Sequence, residues 1–272
     1  MSTEKKAVAT IQKDITEKVL TKIEGFKASN ELRIPDDYSP ENALKSAYLI
    51  LSETKSGAGK NALEVCTQTS IANALLKMVV WGLSPMKKQC AFIMYGDKLE
   101  CQMEYTGNIA LAKRWGGLID IKARAVFKGD EFAFETDTET GRVTITKHVQ
   151  TLDSMNSGEV IGAYAVKIMD GYTDAEVMPI SQIKAAWNQG AMKGNSSAHK
   201  NFPDQMAIKT VIGRACKLLI RGSDDSILYN LNDEPSLNVV DEQVAHEIKE
   251  EANKTVIDVE IEGDEVVPTK GF

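Results

Sequence analysis

WNQGAMKGNSSAHKNFPDQMAIKTVIGRACKLLIR, residues 187–221, runs from a glycine- and amide-rich loop into a helix, and the rest of the chain reads as its support. Pro203 suits a first helical turn, where a missing N–H is no loss, and the pattern stays helical up to Gly222. At about 100° per residue, Thr210, Arg214, Lys217 and Arg221 share one narrow arc, while Ala207, Val211, Ala215, Leu218 and Leu219 are expected to pack. Between Ala191 and Arg221 stand six bases, Lys193, Lys200, Lys209, Arg214, Lys217 and Arg221, against one acid, Asp204. That is a net of +5 inside a protein of net −7.

A run of charge on a helix is most often a solvated face. Here the signs do not mix as they would for solubility, and the preceding loop is rich in donors. Gly190, Gly194, Asn195, Ser196, Ser197, His199, Lys200 and Asn201 offer backbone N–H groups, hydroxyls and amides, which phosphate oxygens accept from. The segment is therefore read as a grip on a nucleic-acid backbone.

With 272 residues, 43% of them hydrophobic, the chain can bury one sizeable core or two small ones. Its apolar runs are too short to span a membrane, and Met1 to Lys6 lacks the apolar stretch of a signal peptide, so a cytoplasmic location is expected. Cys66, Cys90, Cys101 and Cys216 form no C-x-x-C and stand far from His148, His199 and His246, which argues against a zinc site or a disulfide framework. Residues 232–272 carry twelve acids against three lysines, a net of −9, leaving +2 for everything before them. That tail reads as acidic and largely disordered, after a nucleic-acid-binding core over 31–231.

Val8, Ile11, Ile15, Val19, Ile23 and Phe26 recur at helical spacing, so residues 1–30 are expected to hold an amphipathic helix that packs on this chain's core or on a neighbouring copy. Ser39-Pro40 caps a second helix, to about Ser52. The stretch Thr54 to Asn61 resembles a phosphate loop but fails the G-x-x-x-x-G-K-[ST] pattern at both Thr54 and Asn61, and no strand precedes it. It is expected to be a mobile loop without a nucleotide site. A helix over about 68–81 follows. Strands Gln89 to Tyr95 and Lys98 to Tyr105 then flank a Gly96-Asp97 turn, with Leu99, Cys101 and Met103 on the packed face. A helix from about Thr106 to Trp115 ends in Lys113 and Arg114. The strand Leu118 to Lys128 shows Lys122 and Arg124 on one face, and two hairpins, 131–149 and 159–178, complete a sheet region. The class is α+β, an antiparallel sheet of hairpins packed by helices.

Three blocks carry a resemblance. Gly82 to Cys90, including Lys87, Lys88 and Gln89, the run Tyr105-Thr106-Gly107 through Lys113-Arg114, and Lys193 through Asp204 to Arg214 resemble the RecT/Redβ family of phage single-strand annealing proteins, over about residues 30–225. The resemblance implies an ATP-independent recombinase with a β-β-β-α core that coats single-stranded DNA and holds the annealed duplex intermediate. It implies self-assembly into a ring or helical filament, with magnesium at most a modulator. It further implies a phage 5′–3′ exonuclease and a host single-strand binding protein as partners through the C-terminal region. The basic helix of the Redβ proteins matches Met206 to Leu218, with Lys217 at the place of an arginine.

The DNA-binding set expected from residues and resemblance together is Lys87, Lys88, Gln89, Tyr105, Lys113, Arg114, Lys122, Arg124, Lys193, Asn195, Ser196, Ser197, His199, Lys200, Asn201, Lys209, Thr210, Arg214, Lys217 and Arg221. The aromatics near these segments, Phe92, Tyr95, Tyr105, Trp115, Trp187 and Phe202, either stack on bases or belong to the core. Two other classes compete with the annealing reading. A metal-dependent nuclease would use Asp120-Ile121-Lys122 with Asp97, Glu100 and Glu104, although short acidic sets of this kind arise often by chance. A purely structural oligomer would use the N-terminal helix as its interface.

Overall fold

The computed structural model describes residues 15, 17–29, 32, 34–55, 59–190 and 192–223. The acidic tail, together with Val8 and Ile11 of the first helix, lies outside them.

Helix α1 (residues 17–28) turns Val19 and Ile23 inward, and Ile15 joins them in this chain's own core. Helix α2 (Pro40–Glu53) starts as expected, with the Ser39 hydroxyl accepting from the Asn42 N–H at 3.3 Å and proline in the first turn. The failed phosphate loop has a structural role. Thr54 caps the end of α2, and Asn61 accepts from the Leu63 N–H at 2.8 Å to start the short α3 (Ala62–Val65), while its amide donates to the Ser52 carbonyl. Residues 56–58, the middle of the expected mobile loop, are outside the description. Helix α4 (Gln68–Val80), capped by Thr67, leads through a 3-10 turn at Pro85–Lys87 to strands β1 (Cys90–Tyr95) and β2 (Lys98–Met103).

The β1–β2 hairpin has the expected register, Tyr95 opposite Lys98, and the expected alternation, with Leu99 and Cys101 buried. Gly96 takes the positive φ that this two-residue turn requires at its first position. Helix α5 (Tyr105–Trp115) is followed by β3 (Asp120–Phe127), β4 (Glu131–Thr136), β5 (Val143–Val149), the short α6 (Leu152–Asn156), β6 (Val160–Met169) and β7 (Tyr172–Pro179). Three helices close the described chain: α7 (Ile180–Gln189), α8 (Ser197–Asn201) and α9 (Pro203–Arg221).

The α+β class stands, but among the described residues the strands make three sheets, not one. The pairs β1–β2 and β4–β5 are separate hairpins, while β3, β6 and β7 form an antiparallel sheet in that order. The strand after β3 thus does not pair with it; β6 does, from Asp120 opposite Ile168 to Phe127 opposite Val160. Helix α9 packs on one face of this sheet, giving the β-β-β-α arrangement. On that face lie Ile121, Ala123 and Ala125 of β3, Ala163, Ala165 and Lys167 of β6, and Asp174, Glu176 and Met178 of β7, since directly paired residues share a face. The small side chains let α9 sit close. Lys167 is buried here and is paired with Asp174 at 2.6 Å.

The other face is met by the β4–β5 arm. Phe132 stacks on Tyr164 with centroids 5.4 Å apart, and His148 reaches the Tyr164 hydroxyl at 2.9 Å. Asp130, its side chain fully buried, fastens the base of the arm. It accepts from the Phe127 N–H at 2.7 Å, the Gln150 amide at 2.9 Å, the His148 ring at 3.2 Å and the Ser154 hydroxyl. Burial opposes its ionisation, but these donors outweigh it and hold the carboxyl down at about 2.

Candidate nucleic-acid interface

Helices α5 and α9 lie side by side and parallel, as three contacts that advance together along both show. Lys209 Nζ stands 5.6 Å from the Tyr105 ring centroid, a methyl added at Gly213 would come 3.9 Å from the Asn108 amide, and Gly116 abuts Leu219. Both N-termini therefore face the same end of the pair, and their macrodipoles, about half a positive charge each, reinforce one another there.

The surrounding chain adds cations at that end. The Thr106 hydroxyl donates to the Lys88 carbonyl, and Gly107 is so close to the Gln89 carbonyl that no side chain fits, which ties Lys87 and Lys88 to the start of α5. On the α9 side, α8 and its approach bring Lys193 and Lys200, both exposed. Lys88, with φ of 54°, and Lys193, with φ of 46°, are the two non-glycine residues with positive φ among the described residues. Left-handed backbone at a lysine costs on the order of 1 kcal/mol, and both instances lie in this cationic region.

Ser196 starts α8 by accepting from the His199 N–H at 3.4 Å, and its hydroxyl pairs with the His199 ring at 2.7 Å. The ring packs edge-on against Trp187, 4.7 Å between centroids. Burial, then the nearby Lys209 charge, push the His199 pKa below its ordinary value. Trp187 was not among the expected site residues. Its indole N–H donates to the Thr210 hydroxyl at 2.9 Å, and with His199 it fixes the loop that carries Lys193 and Lys200. Its place near the end of a helix that enters an amide-rich loop was the signal available from sequence.

Other expected residues are committed to the fold. The Thr210 hydroxyl accepts from Trp187 and donates to the Met206 carbonyl. The Gln89 side chain accepts from the Ser84 N–H at 2.9 Å. Arg114, only 18% exposed, donates to the Gly82 carbonyl at 3.1 Å and pairs with Asp37. Asn195 donates to the Lys193 carbonyl, while Ser197 and Asn201 are exposed at the two ends of α8. Arg214 is held by Glu176 of β7 at 2.9 Å and reaches Gln182 of α7 at 3.5 Å. Arg221 is exposed, Lys217 is half-buried, and both are engaged in further interactions.

One correction follows from packing. Leu218, expected on the buried side of α9, is 71% exposed, while Ile212, Cys216 and Ile220 are buried, because α9 is covered by the sheet and by α5 along separate stripes. Lys122 and Arg124 lie opposite Val166 and Tyr164, on the sheet face away from α9. They form a separate group with Lys113, whose ammonium shares Asp120 with Lys122, at 3.5 and 2.7 Å. Those contacts hold the Asp120 carboxyl down at about 2.

Residues 41–256 match the model of the RecT family. Among curated relatives, Protein RecT of Escherichia coli (strain K12) is 30% identical over 169 residues, 58% of this chain and 60% of that protein. The chain therefore spans less than two thirds of that relative's length. The family match takes in strands β1 to β7 as well as α5 and α9 with the lysines around their N-termini. On that extent the chain belongs to the RecT family.

Proposed function

We propose that this protein binds single-stranded DNA by its phosphates and anneals complementary strands without nucleotide. The observation that carries the reading is the positive end of the parallel α5–α9 pair, where Lys87, Lys88, Lys193, Lys200 and Lys209 surround two helix N-termini. Backbone donors and lysines hold phosphates without reading bases, which leaves Watson–Crick edges free for a second strand. Family membership adds the context of recombination, with copies of the chain assembling along DNA. An exonuclease and a host single-strand binding protein would act through residues 232–272.

The nuclease reading is weaker. Asp120, its central carboxylate, is bridged by two lysines, and among the described residues no three His, Cys, Asp or Glu side chains stand close enough to hold a metal ion.

The test is a fluorescence assay of two complementary oligonucleotides. Annealing should be accelerated by the protein at full rate without ATP, and equally by Lys60→Ala, since Thr54 and Asn61 act as helix caps and not as parts of a phosphate loop. A requirement for ATP, or cleavage of the strands in magnesium, would overturn the reading.

A further inference from the structure

Of the six aromatics near the basic segments, five have a place in the fold. Phe92 is buried, Tyr105 lies under Lys209, Trp187 holds Thr210 and His199, Trp115 packs against the core, and the Tyr95 hydroxyl accepts from Gln102 at 2.6 Å. Phe202 does not. Its side chain is 60% exposed, with no ring or cation contact among the described residues.

Its position makes that exposure unusual. Phe202 occupies the N-cap of α9, where Ser, Thr, Asp or Asn would stabilise the helix by about 1 kcal/mol, and α9 has no side-chain cap. The backbone beneath the ring is rigid. The Phe202 N–H donates to the Ala198 carbonyl at 2.9 Å, its carbonyl accepts from the Met206 N–H at 3.1 Å, and Pro203 follows. An apolar ring is thus held in solvent on a fixed support, next to Lys200 and Asn201 and about two turns before Lys209.

We infer that Phe202 is a stacking seat for an unpaired nucleobase, beside the lysines that take the phosphates. The inference rests on the single-strand binding proposed above and adds the base to it. A base stacked by its flat face keeps its hydrogen-bonding edge free, so the contact is insensitive to sequence and compatible with pairing to a second strand. The ring carries no charge, so its share of the affinity is independent of salt.

The experiment measures binding of the full-length protein to a thymidine oligonucleotide and to an abasic phosphodiester chain of the same length, across a salt series. Phe202→Ala should weaken binding to the thymidine oligonucleotide about fivefold to a hundredfold, with an unchanged salt slope. Phe202→Tyr should restore it, and the abasic chain should be bound equally by the wild type and Phe202→Ala. Leu49→Ala, which removes another exposed apolar side chain on α2, should change neither. An equal loss on the abasic chain, or wild-type affinity of Phe202→Ala for the thymidine oligonucleotide, overturns the inference and leaves the annealing reading intact. A change in the sedimentation of DNA-free Phe202→Ala would assign the ring to a contact between copies and overturn it too. A wild-type protein that binds neither chain overturns the annealing reading itself.

Discussion

Replacing Lys88, Lys200 and Lys209 together with glutamine should lower the affinity for a single-stranded oligonucleotide about a hundredfold at 0.1 M salt. Each lysine–phosphate contact releases about 0.7 of a counterion from a single strand, and at 0.1 M that release is worth roughly a factor of five, so three contacts multiply to about a hundred. The slope of log affinity against log salt should flatten by about 2 in the same variant, equally for every sequence, because these side chains meet phosphates and not base edges. Fluorescence anisotropy at several salt concentrations reads both quantities. Lys209 also stacks over Tyr105, so circular dichroism must show the variant folded. Arg214→Gln gives the contrast. Its guanidinium is already neutralised by Glu176, so removing it should flatten the slope less than one free lysine does. A folded triple variant with an unchanged slope would place the phosphates elsewhere on the molecule.

That the contrast falls between lysines near one helix start and arginines further along the same helix could not be read from the sequence. The wheel of α9 gave the arc of Thr210, Arg214, Lys217 and Arg221 correctly as an angle, but a wheel does not say what stands opposite. Glu176 comes from β7 and Trp187 from α7, and they engage Arg214 and Thr210 from outside the helix. Local signals were legible: proline at the start of α9, Ser39 capping α2, and the glycine turn and alternating faces of β1–β2. These depend on neighbours within a few residues. The pairing of β3 with β6 spans the inserted β4–β5 arm, and alternation specifies a strand's faces without naming its partner, which is why one sheet was expected where three exist. The parallel packing of α5 on α9 has the same origin. Lys87 and Lys88 were legible as cations, but only the approach of Gly107 to Gln89, together with that of Lys209 to Tyr105, shows that they share the start of α5 with Lys209.

Asp130→Ala should destabilise the protein by about 3–5 kcal/mol, a large part of the roughly 5–15 kcal/mol that holds a domain folded. The carboxylate is fully buried and accepts from the Phe127 N–H, the Gln150 amide, the His148 ring and the Ser154 hydroxyl, and its loss strands several buried donors at about 1–3 kcal/mol each. Asn at this position keeps one acceptor oxygen but adds two donors, so Asp130→Asn should fall between the wild type and alanine. The effect also depends on pH. The folded-state pKa, about 2, lies below the ordinary 3.8, so the carboxylate's contribution is present in full above about pH 4 and is lost as the pH falls toward 2. Urea denaturation should therefore show a wide gap between the wild type and Asp130→Ala at pH 7 and a narrower one near pH 2.5. The same four bonds fasten the β4–β5 arm to the sheet beneath Phe132 and Tyr164, so amide exchange in residues 131–149 should accelerate in the variant before the core of α9 is affected. An arm that keeps its protection, or a gap that does not narrow with acid, would mean that Phe132 and Tyr164 hold the arm without the buried carboxylate.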